Sequence, residues 1–138
     1  MEVVLVTDKP LETQSILKSV GSPEGGAVNV FIGMVRNATK GKKVLKLEFE
    51  AYEPMATKEL TKIVEKAKTK WPILKVAVHH RTGVMQIGEV PVVIAVTTAH
   101  RGAGFEACQF IIDTLKETVP IWKKEFFEDG EVWVAAHP

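Results

Sequence analysis

Cysteine is nearly absent from this sequence: the single one, Cys108, stands in the apolar run "FEACQFII". One thiol excludes a disulfide framework and a cysteine-based metal centre by count alone, and its neighbours mark it as a small core residue. Long apolar runs are missing too. No stretch of about eighteen apolar residues occurs, and "MEVVLVTDKP" at the N-terminus has no basic segment followed by an apolar one. A secretory leader and a membrane-spanning helix are therefore not expected, and the chain reads as cytoplasmic. Nor does one sign of charge dominate. Eighteen basic side chains face seventeen acidic ones, a formal net charge of +1, which excludes a nucleic-acid partner held by bulk charge. Repeats, low-complexity tracts and linkers are absent as well. The 138 residues thus read as one domain over 1–138, long enough to bury roughly two-thirds of the unfolded chain's surface without a disulfide or metal.

What is present is a regular alternation of β-rich and helical patterns. Residues 2–6, "EVVLV", are a short strand. The segment 10–20 is a helix with Pro10 in its first turn, and "GSPEGG" breaks the chain after it. Residues 26–36 and 44–52 read as strands joined by the polar, basic loop "NATKGKK". Residues 53–71 carry Met55, Leu60, Ile63, Val64, Ala67 and Trp71 at helical spacing. Two further β-branched runs, 73–83 and 91–100, flank the turn-like "MQIGEV" and are suited to antiparallel pairing. The turn "RGAG" leads into a helix over 105–119, and 130–138 supplies a last strand. The order β-α-β-β-α-β-β-α-β predicts an α+β domain with a largely antiparallel sheet covered by helices.

Three places in this pattern could carry chemistry. In "TTAHRGAGF" a strand ends at His100 and Arg101 and a helix follows, so first-turn N–H groups share a face with two basic side chains. That suits an anion, though a plain strand-to-helix turn with a solvated arginine has the same pattern. Arg36 closes the run "FIGMV" at the rim of the sheet, ahead of Lys40, Lys42 and Lys43. It is either a ligand contact or a solvated strand cap. In "LKETVPIWKKE", Pro120 lacks an N–H and its ring clashes with the carbonyl of Lys116, so the helix must kink or stop near Val119 and restart. Lys116 and Lys123 lie on either side of that break. They belong either to the solvated face of an amphipathic helix, with Ile121 and Trp122 inward, or to a cationic cluster in which a desolvated lysine has a lowered pKa. The adjacent His79 and His80 point to opposite faces of a strand, which is unsuited to joint metal ligation, and no metal or cofactor is expected.

Together, "GAVNVFIGMVRN", "LEFEAYEPMA", "HRTGVMQIGE", "TTAHRGAGFEACQFIIDTLKETVPIWKKE" and "WVAAHP" resemble the large, catalytic subunit of molybdopterin synthase in order and spacing. The resemblance runs from about Gly25 to nearly the C-terminus. It implies an α/β hammerhead-like fold with a mixed, largely antiparallel sheet and about three helices. It also implies a homodimer within a heterotetramer, each large subunit binding a small ubiquitin-like sulfur carrier that ends in Gly-Gly. The implied reaction is sulfur transfer from the carrier's C-terminal thiocarboxylate to cyclic pyranopterin monophosphate, forming the dithiolene of molybdopterin. Carried over by position, the catalytic lysines are Lys116 and Lys123. The substrate contacts fall on Met34, Val35, Arg36, His100, Arg101, Lys116, Lys123, Lys124 and Glu125. In this reading Lys116 acts at the donor's acyl carbon or moves a proton, while Lys123, Arg36, His100 and Arg101 hold substrate and steady developing charge. Gly104 departs from the alanine expected before Phe105. The alternative is a non-catalytic module that binds an anionic metabolite through "HRGAG" and the lysines.

Overall fold

The computed structural model describes residues 1–135. Its first sheet is built around β8 (Val92–Thr98), which is buried at every position. A strand covered on both faces has no solvent side to show, so "VVIAV" runs apolar without alternation, and the buried Thr97 and Thr98 that follow donate to the carbonyls of Val20 and His100. Beside β8 lie β6 (Ile73–Arg81) and the edge strand β2 (Ala27–Gly33), both antiparallel to it, while β1 (Val4–Thr7) runs parallel to β6. On one face Ala77, Val93 and Ala95 pack against Ile16 and Val20 around the short helix α1 (Thr13–Ser19). On the other, Val76, Val78, Ile94 and Val96 meet the apolar stripes of α2 (Glu53–Lys70) and α3 (Arg101–Thr118). The predicted α+β class and the three helices are observed, as is the antiparallel pairing of 73–83 with 91–100.

The strands form two four-stranded sheets rather than one. The second has the order β10-β9-β5-β7, all antiparallel: β10 (Gly130–Ala135), β9 (Ile121–Phe127), β5 (Lys46–Ala51) and β7 (Gly83–Gln86). The last three residues of the predicted final strand, 136–138, lie outside the described residues. Three local readings are corrected by this architecture. First, the chain does not restart a helix after Pro120; it enters β9, where every residue pairs with β10, β5 or both. Proline ends α3, and the β-branched and aromatic residues that follow find their partners in a distant sheet that local periodicity does not reveal. Second, "NATKGKK" holds a tight ribbon of β3 (Ala38–Thr39) and β4 (Lys42–Lys43). Lys40 and Gly41 both have positive φ, the requirement of a two-residue hairpin turn. Third, α3 begins at Arg101, so the "RGAG" glycines are helical, and "MQIGEV" gives its first two residues to β7.

Gly104 sits where α3 presses on the first sheet. A Cβ there would run into Asn29 Oδ1 and Thr98 Oγ1, so the departure from alanine is matched by the asparagine on β2. Gly83 has a different task. It is the corner at which the chain leaves β6 for the second sheet, with φ +99° and nothing within 4 Å of an added Cβ. Space is free but the backbone conformation is not, so Gly83→Ala should lower unfolding stability by about 1–2 kcal/mol. Denaturant unfolding checks this, and an unchanged midpoint would contradict it.

Candidate functional site

The two sheets diverge beside the C-terminal end of α3 and leave a cavity of about 250 Å³ between them. Its walls are apolar: Phe31 from β2, Leu47 and Phe49 from β5, Ile112 and Leu115 from α3. Onto these walls are set Arg36, Lys116, Lys123 and Glu125. Arg36 follows the end of β2, Lys116 occupies the last turn of α3, and Lys123 and Glu125 come from β9. The alternation of a strand explains the last two. Lys123 pairs with Phe49 and Glu125 with Leu47, so all four share the face of the second sheet that lines the cavity.

Three cations therefore meet one carboxylate. Lys123 is pushed below the ordinary lysine range, chiefly by burial, with Arg36 and Lys116 adding repulsion and Glu125 working the other way. The lowered pKa belongs to Lys123, the catalytic lysine expected to hold substrate and steady developing charge. Glu125 is 5% exposed and accepts a hydrogen bond from Thr39 Oγ1 at 2.6 Å, which ties the β3–β4 ribbon to the cavity. Its other carboxylate oxygen has no protein partner among the described hydrogen bonds.

Of the remaining expected residues only Met34 shares the cavity. Met34 lines the cavity and is well exposed, but Val35 turns into the core. Lys124 faces the opposite side of β9, with Nζ 3.6 Å from Glu131 and 4.5 Å from the centre of the Trp133 ring. His100 and Arg101 stand at the start of α3, fifteen residues from Lys116, which is about 22 Å along a helix. They are not among the residues lining this cavity. Conversely, Thr39 and His80 line it although sequence reasoning singled out neither as a site residue. The hairpin signal "KG" could have placed Thr39 on a defined ribbon, while His80 was considered only as a metal ligand.

Comparisons with known proteins identify the family. A family model described as "MoaE protein" matches residues 6–118. The chain is 48% identical to the molybdopterin synthase catalytic subunit of Bacillus subtilis over 134 residues, covering 97% of this chain and 85% of that protein. It is 45% identical to the human protein of the same name, over 96% of this chain and 70% of that protein. The chain belongs to the MoaE family. The crystal structure of molybdopterin synthase from Staphylococcus aureus superposes with a TM-score of 0.92 at 41% identity, covering 97% of this chain and 98% of that one. That coverage takes in both sheets of this MoaE chain.

His80 gives the site a pH signature. It is 3% exposed, and burial pushes its pKa down to about 4 from 6.5, against the smaller opposing effect of its bond to the Arg81 carbonyl. The unfolded chain therefore binds more protons at this position between those values, so stability is lost as pH falls from about 6.5 toward 4. The loss attributable to His80 is on the order of 3 kcal/mol. Comparing urea midpoints of wild type and His80→Gln across this range checks the claim: the variant should show a flatter decline, and parallel declines would contradict it.

Proposed function

We propose that this protein is the catalytic subunit of a molybdopterin synthase and that the cavity at the junction of its sheets is the site of sulfur transfer. The observation that supports this most strongly is the convergence of Arg36, Lys116, Lys123 and Glu125, from separate elements, on one partly apolar cavity. The donor, a thiocarboxylate at the Gly-Gly end of a small carrier protein, and the acceptor, cyclic pyranopterin monophosphate, are both anionic. Bringing them together needs fixed cations to offset their repulsion. The carrier's sulfur must bond to an acceptor carbon and displace an oxygen group, to which a proton must be delivered. The acyl C–S bond is then cleaved by water, or by an unprotonated amine whose amide water afterwards cleaves, leaving a thiolate on the pterin and a carboxylate on the carrier. Burial, with repulsion from Arg36 and Lys116 and against the opposing pull of Glu125, lowers the pKa of Lys123, so its amine sheds a proton more readily than an ordinary lysine's, which suits it to the acyl carbon or to taking a proton. Lys116, on the exposed last turn of α3, is suited to steadying the anions. Cys108, buried in α3 with its thiol pKa pushed up to about 11 by burial, is a poor nucleophile, so the sulfur comes from the carrier. The setting for this reaction is the cytoplasm.

His100 and Arg101 have a place in this reading only if a second copy is present, because one chain holds them about 22 Å from Lys116. The edge strand β2, which pairs with the end of β8 just before His100, exposes Val28, Val30 and Ile32, and Phe105 in α3 is 63% exposed. In the proposed homodimer this apolar margin is covered and His100 and Arg101 reach the partner's cavity. A carrier at each cavity completes a heterotetramer.

Two experiments test the proposal. Lys116→Ala and Lys123→Ala should each lower dithiolene formation at least a hundredfold in an assay with thiocarboxylated carrier, with unfolding midpoints unchanged; wild-type activity in both would overturn it. Mixing inactive Lys116→Ala with inactive Arg101→Ala after dissociation and reassembly should restore about a quarter of wild-type activity, because half the dimers then hold one intact cavity. No recovery would contradict the shared site.

A further inference from the structure

His80 stands at the inner wall of the cavity, one residue before the end of β6. Two contacts fix its ring. Nδ1 lies 2.9 Å from the backbone oxygen of Arg81, and the ring meets Phe49 edge-on, with centroids 5.4 Å apart and planes at 67°. A carbonyl oxygen can only accept, so Nδ1 carries the proton, and in the neutral imidazole Nε2 is left as a bare acceptor. No described residue donates a hydrogen bond to Nε2. Among the described residues only Asn29 Oδ1 and Arg81 Nε are both sealed from solvent and without a partner, so an unpartnered Nε2 keeps access to open space. The open space that His80 lines is the cavity.

The other polar side chains set what this nitrogen can recognise. Arg36, Lys116 and Lys123 can donate hydrogen bonds, and burial holds His80 neutral at physiological pH. Of the other lining side chains with an oxygen acceptor, Thr39 donates to one oxygen of Glu125, whose second oxygen is an anionic acceptor suited to the cations beside it, so Nε2 is the neutral acceptor without a partner. The anionic end of a substrate belongs with the cations, and a lone pair such as that of Nε2 repels it. A ring N–H or O–H is its complement. We propose that His80 is a specificity-determining residue whose Nε2 accepts a hydrogen bond from an N–H or O–H of the small-molecule heterocycle, turning the ring between Phe31, Phe49 and Leu115 while the cations hold its anionic end. This deepens the substrate reading above and rests on it. A bound molecule whose heterocycle lacks that donor would leave Nε2 unsatisfied, which is how a neutral acceptor discriminates more sharply than an apolar wall.

The test uses two readouts on the full chain, with thiocarboxylated carrier and cyclic pyranopterin monophosphate as the reactants. His80→Asn keeps a donor for the Arg81 carbonyl but removes the acceptor, whereas His80→Gln can place an amide oxygen near the position of Nε2. His80→Asn should raise KM for the pterin about three- to tenfold with little change in kcat, and His80→Gln should restore most of the loss. Equal KM values in wild type and His80→Asn would overturn the proposal, while loss of activity in the lysine variants would leave the sulfur-transfer reading standing. Nitrogen NMR of histidine-labelled wild type supplies a readout independent of turnover and of variant folding. The His80 Nε2 signal, identified by its absence from His80→Gln, should be of the unprotonated type in the free protein and should move when the pterin is added. A signal that stays in place at saturation would overturn the proposal.

Discussion

The proline at position 120 can neither donate to the helix ladder nor sit against the carbonyl of Lys116, and much of the site follows from that steric fact. Because α3 must end at Thr118, the chain is free to turn at Val119 and enter the second sheet as β9. Lys116 and Lys123 are thereby taken off a common helix and placed on the helix end and the strand that form two walls of one cavity. An unbroken helix would have held them about 10 Å apart on one wet face. The break instead lets β9 half-bury Lys123 beside Lys116 and Arg36, which is why its pKa is lowered.

Compensation is built around this cluster rather than within it. Glu125, two residues along the same face of β9, is the one carboxylate among the lining residues, and Thr39 fixes it from the β3–β4 ribbon. The ribbon depends in turn on Lys40 and Gly41 adopting positive φ. The corner at Gly83 carries the chain from β6 into the second sheet, so His80 and Phe49, on different sheets, meet ring to ring. The cavity thus has apolar walls, a cationic side and one neutral acceptor, the combination expected of a site for a small heterocycle with an anionic group.

Much of this was legible in the residues. The unbroken apolar run of β8, the helical spacing of α2 and the stripe of α3 are strong signals because burial dictates them locally. The proline break was legible as well, since its cause lies within five residues. What followed the break was not, because Ile121–Phe127 becomes a strand through pairing with β5 and β10, a partnership that only the tertiary fold supplies. The same limit hid β7 and the division into two sheets. At the site, Arg36, Lys116 and Lys123 came from residue chemistry joined to family resemblance and Glu125 from the resemblance alone, and the fold places all four on one cavity. Lys124 turns away because strand alternation, invisible while the segment was read as helix, sends it to the other face. Thr39 in a polar loop carries no motif, and His80, though it opens "HRTGVMQIGE", carries no role that local pattern assigns; their meaning lies in what they face.

The most direct test of the account asks where the carrier's tail ends. A carrier whose terminal Gly-Gly bears an aldehyde in place of the thiocarboxylate, mixed with the protein and reduced with borohydride, will record any unprotonated amine within reach as a covalent bond. A single adduct is expected, placed by peptide mass spectrometry on Lys123 or Lys116 and suppressed by prior addition of the unmodified carrier. An adduct on surface lysines such as Lys62 or Lys68, with Lys116 and Lys123 unlabelled, would contradict it.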